Sequence, residues 1–466
     1  VHQPGAPGEQ PEIDLDKLVQ QYKKAIKNRP DDGGLQHDLG LVYMQKGEPQ
    51  KAIPAFQKAL QMQPDMTQAR HFLAVAYAEK GDIERAKSEW EEVIDDEPDH
   101  GPAHYFLGWI YTARGSWDEA IEYLERASDL DPKQVQVHHA LAEAYIGAGR
   151  PMDAVGAWRK VLEQKPDDLR ARHNIGAALC DQGHYDEAIK VCEETIKMGS
   201  DSPIPRVNLA LAQLAKNRPE KAEAPMREAL RLAPDDLDAR VNMGEILARQ
   251  GKLDEACRTW EEVLDRDGDN PDALFNLGQA ARVRGDQEEA LKLWDRAMDA
   301  ASDLPDEVQT AYTDQLRANR TLVLLGEGRY DEALEECLTA AENHPQEPMN
   351  WNRAALVCMR LGRLKDAEKY VARAEEAAGD DHLGTSFISG CLRLAQGQLR
   401  AGARLWRQVL EEESDAPAVV RTQLRAVFQA EQLQEFAERL QEDNHTAESD
   451  AVLAFCEALT DGQEGR

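Results

Sequence analysis

The chain has 466 residues, with 87 acidic against 55 basic side chains and a formal net charge of −32 at pH 7. That balance repels phosphate backbones, so nucleic acid is excluded as the expected partner, and no uninterrupted apolar run is long enough to span a membrane. Hydrophobic residues make up 42% but aromatic ones only 6%, a helix-leaning composition that argues against an all-β fold.

In chain order, residues 1–13 contain Pro and Gly with no apolar signal-like core, and are expected to be a disordered lead-in. The expected location is the cytoplasm, or the cell envelope or periplasm if an upstream signal has been removed. Residues 14–32 match the second half of a longer unit and are expected to form an N-terminal capping helix. From Gly33 a 34-residue frame repeats eight times, filling 33–304. Residues 305–313, PDEVQTAYT, interrupt it. They are expected to lengthen the following helix and to mark a sub-domain boundary near 305. Three further units occupy 314–347, 348–381 and 383–416. Residues 417–466 keep helical periodicity without the motif, and are expected to cap the array with Val452, Leu453, Phe455 and Leu459 turned inward.

Each unit reads as two helices and a tight turn. The fifteenth position is Gly in ten units, among them Gly47, Gly81, Gly285 and Gly397, and Asn217 in the other; these are the residues that tolerate the left-handed conformation at a helix C-terminus. The eighth position is small in ten units, with Thr321 the exception, and the twentieth is small in all eleven, from Ala52 to Gly402. Small residues at both places let the paired helices cross closely. Six units carry Pro at the thirty-second position, as at Pro64 and Pro345, which ends the second helix.

This pattern resembles the tetratricopeptide repeat family. The resemblance implies an all-α fold, a right-handed superhelical α-solenoid of tandem helix-turn-helix repeats. It further implies a non-catalytic interaction scaffold that binds an extended or helical segment of a partner protein in its concave groove. A self-assembling structural platform is the alternative. In such arrays positions 2, 5, 9, 12 and 13 of the first helix line the inner face.

Five tryptophans, Trp90, Trp158, Trp260, Trp294 and Trp406, share the twenty-fourth position, where Phe56, Leu124 and Met226 stand in other units; that equivalence assigns them to the core. Trp109 stands apart at the ninth position, beside Tyr105 and Phe106, and is a candidate for partner contact. Position 5 runs His37, His71, Tyr105, His139, His173. Ligands of one metal must all lie about 2.1 Å from it, whereas neighbouring helices are about 8–10 Å apart. The row is therefore read as a polar lining, either titrating near pH 6.5 or made of neutral, merely solvated imidazoles, rather than as a metal site.

Position 6 becomes Asn174, Asn208, Asn242, Asn276 and Asn319 in successive units. Carboxamides both donate and accept, so such a ladder suits the peptide groups of an extended chain, and it resembles the asparagine ladder of the O-linked N-acetylglucosamine transferases. A purely structural role between repeats is the other reading. Val207, Leu211, Leu214, Val241 and Phe275 are expected to make the same stretch apolar. The Lys and Asn pair with which co-chaperone repeats clamp a carboxylate is missing, and no nucleotide-binding, zinc-protease or serine-hydrolase motif occurs. No enzyme activity, cofactor or metal is expected. The seven cysteines, odd in number and irregularly spaced, favour a reducing compartment, with Cys337 and Cys358 the pair expected to lie closest.

Overall fold

The computed structural model describes residues 14–303, 305–379, 383–412 and 427–460; the expected lead-in at 1–13 and the tail beyond 460 lie outside the described residues. These residues form helices with no strand among them. The pairs follow the sequence frame: Gly33–Gln45 with Pro49–Met62 in repeat 1, Thr67–Lys80 with Ile83–Asp96 in repeat 2, and Gly101–Arg114 with Trp117–Leu130 in repeat 3. The pattern continues to Leu383–Ala395 with Leu399–Glu412 in repeat 11. The result is an all-α tetratricopeptide-type solenoid, preceded by the helix Leu15–Asn28 and followed by Ala430–Glu442 and Thr446–Thr460. By contacts the chain divides into two compact units, 1–242 and 243–466.

The eighth position explains how each pair closes. An added Cβ at Gly40 would lie 2.5 Å from the Phe56 ring, at Gly108 2.5 Å from Leu124, and at Gly278 2.3 Å from the Trp294 Nε1. The large side chain at position 24 thus fills the space that a small position 8 leaves open. Trp90, Trp294 and Trp406 are wholly buried and Trp158 and Trp260 nearly so. At the fifteenth position Gly81 has φ +87° and Asn217 φ +55°. In the turn at Gly81 the Asp82 N–H donates back to Tyr77 O at 2.9 Å, closing the helix end with a Schellman-type bond.

The fourth position carries a regularity that the repeat reading did not use. Arg70, His104, His138, Arg172, Arg240 and Trp351 each donate to the carbonyl of the proline six residues earlier, at 3.3, 2.9, 2.8, 3.0, 2.7 and 3.0 Å for the shortest bond. Arg206 does the same to Ser200 O at 2.8 Å. The proline lies two residues beyond the end of the second helix, so its carbonyl has no place in the helical ladder, and the next repeat supplies its donor. This bond ties one repeat to the following first helix.

The insertion does lengthen the first helix of repeat 9, which runs Asp306–Gly326 over 21 residues. Its Tyr312 is half-buried against Phe275, ring centroids 6.1 Å apart, and donates to Pro271 O at 2.5 Å. Arg320, at an aliphatic position of the motif, is matched by Glu336 at 2.7 Å and by Asp295. Ser389, at the same motif position two repeats later, donates to Glu375 Oε1 at 2.7 Å. These bonds accommodate polar groups where the motif asks for apolar ones. In the last helix Val452 and Phe455 are wholly buried and Leu453 is partly buried; the side chain of Leu459 lies outside the described residues.

Candidate functional site

The first helices of residues 33–242 turn positions 2, 5, 9, 12 and 13 to one face. Over repeats 1–6 the charged residues at those positions are Glu79, Glu143, Arg170 and Asp181, and Glu143 pairs with Arg170. In a chain with 30% charged residues this face is poor in charge. It also carries exposed apolar bulk: Trp109 at 46% exposure, Ile146 and Ile204 occupy positions 9, 12 and 2. Depletion of charge together with exposed aromatic and aliphatic side chains sets this face apart from the charged surface of the rest of the chain.

The position-5 histidines are not the uniform titrating lining expected from the sequence. His71 accepts a hydrogen bond at its Nδ1 from the Trp90 indole at 3.2 Å and lies 5.0 Å from the His100 ring; burial, assisted by His100, pushes its pKa down to about 4. His173 is lowered as well, by burial, with Ser200 Oγ 3.4 Å from its Nε2. His139 sits 3.4 Å from Asp168 Oδ2. His37 is wedged between Phe56 and Phe72, each ring 5.9 Å away. The reason is positional. In repeats 1 and 2 the bulky side chain at position 24, Phe56 or Trp90, reaches under position 5 of its own repeat, so His37 and His71 are packing partners before they are surface groups.

Position 6 packs between repeats in the second and third. Phe72 stacks on Phe56 of repeat 1 at 6.2 Å, and Phe106 stacks on Trp90 of repeat 2 at 4.7 Å with the rings nearly parallel. The expected aromatic cluster therefore separates. Phe106 belongs to the interior, Tyr105 is half-buried edge-on to it at 5.2 Å, and Trp109 is the exposed member.

The asparagines that follow at position 6 are half-buried. Among the described residues Asn174, Asn242 and Asn276 make no side-chain hydrogen bond within the chain, and the buried Nδ2 of Asn208 has no partner. Asn319 differs: its Oδ1 accepts from Gln279 at 3.1 Å and its Nδ2 donates to Gln315 O at 2.9 Å. Of the apolar residues expected around the ladder, Val207 and Leu211 are half-buried, whereas Leu214 and Val241 are core and Phe275 is engaged by Tyr312.

No group of three or more metal-ligating side chains is assembled among the described residues, and no described helix is long and apolar enough to cross a membrane. The Cys337 and Cys358 thiols are free and buried, each pushed up to about 11 chiefly by burial.

Three tetratricopeptide repeat models match the chain, over residues 43–110, 88–144 and 111–179, over 207–260, 242–305 and 321–382, and over 169–199. Among similar solved structures, yeast Tom70 is 14% identical, with 83% of this chain and 93% of that one covered at a TM-score of 0.46. YrrB, described as a TPR protein with an unusual peptide-binding site, is 20% identical over 40% and 95%, TM-score 0.38. MamA from Desulfovibrio magneticus RS-1 is 21% identical over 36% and 96%, TM-score 0.35. These likenesses concern the fold alone. No curated protein matches the chain.

Proposed function

We propose, for a chain that belongs to the tetratricopeptide repeat family, that it acts as an interaction scaffold whose first-helix face in residues 33–242 binds a segment of another protein. The observation that carries this reading is the charge-poor face bearing exposed Trp109, Ile146 and Ile204. In an acidic protein such a face has no solubility value of its own, and covering it removes apolar area worth about 25 cal/mol per Å² from water. Asn174, Asn208 and Asn242 border it with carboxamides that the chain leaves unused, and these supply hydrogen bonds to a partner's main chain. The ladder reading stops short of Asn319, whose amide is spent on Gln279 and Gln315.

The test compares immobilised full-length chain with a variant carrying Trp109→Ser, Ile146→Ser and Ile204→Ser, using quantitative mass spectrometry of captured proteins. All three side chains are exposed, so the fold is expected to survive. Proteins held by the parent and lost by the variant are the expected result. Identical captures, or concentration-dependent growth in sedimentation that the variant abolishes, would instead move the face to self-assembly.

A further inference from the structure

A second surface of residues 1–242 has a different chemistry. Ile94, Pro98, His104, Ile121 and Tyr123 wall a groove of about 670 Å³ lying against the second helix of repeat 3. Asp118, Glu122 and Asp129 stand exposed along it without an ion pair in the chain. The groove's own cations are already matched. Arg126 pairs with Asp99 at 2.5 Å, and Arg150 pairs with Asp153 at 2.7 Å while covering the Tyr145 ring at 4.7 Å. The rim that remains is anionic.

Its wall holds an unmet acceptor. His104 is 7% exposed. Its Nε2–H donates to Pro98 O at 2.9 Å, which fixes Nδ1 as the lone-pair nitrogen, and that atom has no partner. The equivalent histidine one repeat on shows what is missing: His138 donates likewise to Pro132 O at 2.8 Å and has Ser128 Oγ 3.5 Å from its Nδ1. Where repeat 3 places Ser128, repeat 2 places Ile94, so His104 lacks that hydroxyl.

Repeat 10 shows what the place accommodates. Trp351, Tyr370 and Arg373 stand at the positions of His104, Tyr123 and Arg126. There the Arg373 guanidinium lies 4.6 Å over the Trp351 ring, in a groove of about 420 Å³. In repeat 3 the matching arginine is drawn aside to Asp99, His104 takes the place of Trp351, and Tyr123, 5.9 Å from the His104 ring and stacked on Tyr111 at 5.4 Å, is the larger ring at the groove.

We propose that this groove is a docking site for a basic side chain, arginine or lysine, on a segment of a partner protein. Its acids supply the countercharge, Tyr123 supplies the edge of an aromatic wall, and His104 Nδ1, shut off from solvent in the free chain, accepts from a donor that displaces the Ile94 side chain. The site does not depend on the first-helix face.

Fluorescence polarisation of a labelled peptide of alternating Gly and Arg, with a Gly and Glu peptide as control, tests it on the full chain at about 0.15 M salt. Asp118→Asn, Glu122→Gln and Asp129→Asn together should weaken the arginine peptide at least about tenfold. The same charge change made elsewhere, Asp65→Asn, Glu193→Gln and Glu220→Gln, should leave it within about twofold. Ile94→Ser, which offers His104 the hydroxyl that His138 has, should cost roughly fivefold. Trp109→Ser should change nothing here, which separates this site from the first-helix face. Equal losses in the two triple variants, or unaltered binding by the Ile94→Ser chain, would overturn the proposal.

Discussion

At Gly278 a single added methyl group would sit 2.3 Å from the Trp294 indole nitrogen. The indole is fully buried and held by its bond to Phe275 O at 3.2 Å, so it has little room to yield. Gly278→Ala is therefore expected to cost about 1–3 kcal/mol. Gly156, within the helix Pro151–Gln164, meets nothing within 4 Å, and Gly156→Ala should instead gain about 0.5–1 kcal/mol. Denaturant melts of both variants check the opposite signs. His71 makes the pH prediction at this scale. Its folded pKa, about 4, lies below the ordinary 6.5, so folding disfavours its protonated form. Its contribution is complete above about pH 6.5 and falls away as the pH drops towards 4. The groups facing it are the Trp90 indole N–H, which needs the lone pair, and the imidazole of His100, which is itself lowered by burial. His71→Gln keeps an acceptor for Trp90 and removes the titration. Its stability should be flatter than the parent's by about 3 kcal/mol across that range, read from urea titrations at pH 7, 5.5 and 4.

Among the elements, consecutive repeats share, beside their packing, a recurring bond to the carbonyl at the thirty-second position of the preceding unit. At Arg172 both Nε and a terminal nitrogen bond Pro166 O, at 3.1 and 3.0 Å. Arg172→Ala should cost about 1.5–3 kcal/mol, the usual range for a bond to a charged donor. It should raise hydrogen exchange first around 165–172, whereas the exposed ion pair of Arg159 with Glu187 should be dispensable. The asparagines separate the same way. Asn319→Ala removes bonds to Gln279 and to its own helix and should lower the melting temperature. Asn174→Ala with Asn242→Ala removes none, so it should leave melting unchanged while weakening a first-helix-face partner by roughly 1–3 kcal/mol if the two terms add.

For the molecule as a whole, sequence-local contacts make stability a chain of repeat and neighbour terms, so a lesion need not spread. Gly278→Ala should raise amide exchange within 243–466 well before it does so within 1–242. Charge acts on every repeat at once. With a net charge of −32, self-repulsion disfavours the compact state, and salt raised from about 0.02 to 0.5 M should increase the melting temperature by screening it, as differential scanning calorimetry would show. The sequence by itself determined the helix pairs, their 34-residue register and the turn residues, because those depend on local conformation: a left-handed Gly81 or Asn217 is legible wherever it occurs. It also placed the five tryptophans in the core, since one motif position repeated with large apolar residues can only be packing. What only the tertiary structure decided was the state of the polar groups. His71 looked like a surface imidazole until Trp90 was seen beneath it, and Asn174 and Asn319 share a motif position yet differ in whether a neighbouring chain segment reaches them. His104 and His138 differ through one residue of the preceding helix, Ile94 against Ser128. Hydrogen-bond partners and desolvation are set by side chains some ten to forty residues away in sequence, and no local pattern records which of them arrives.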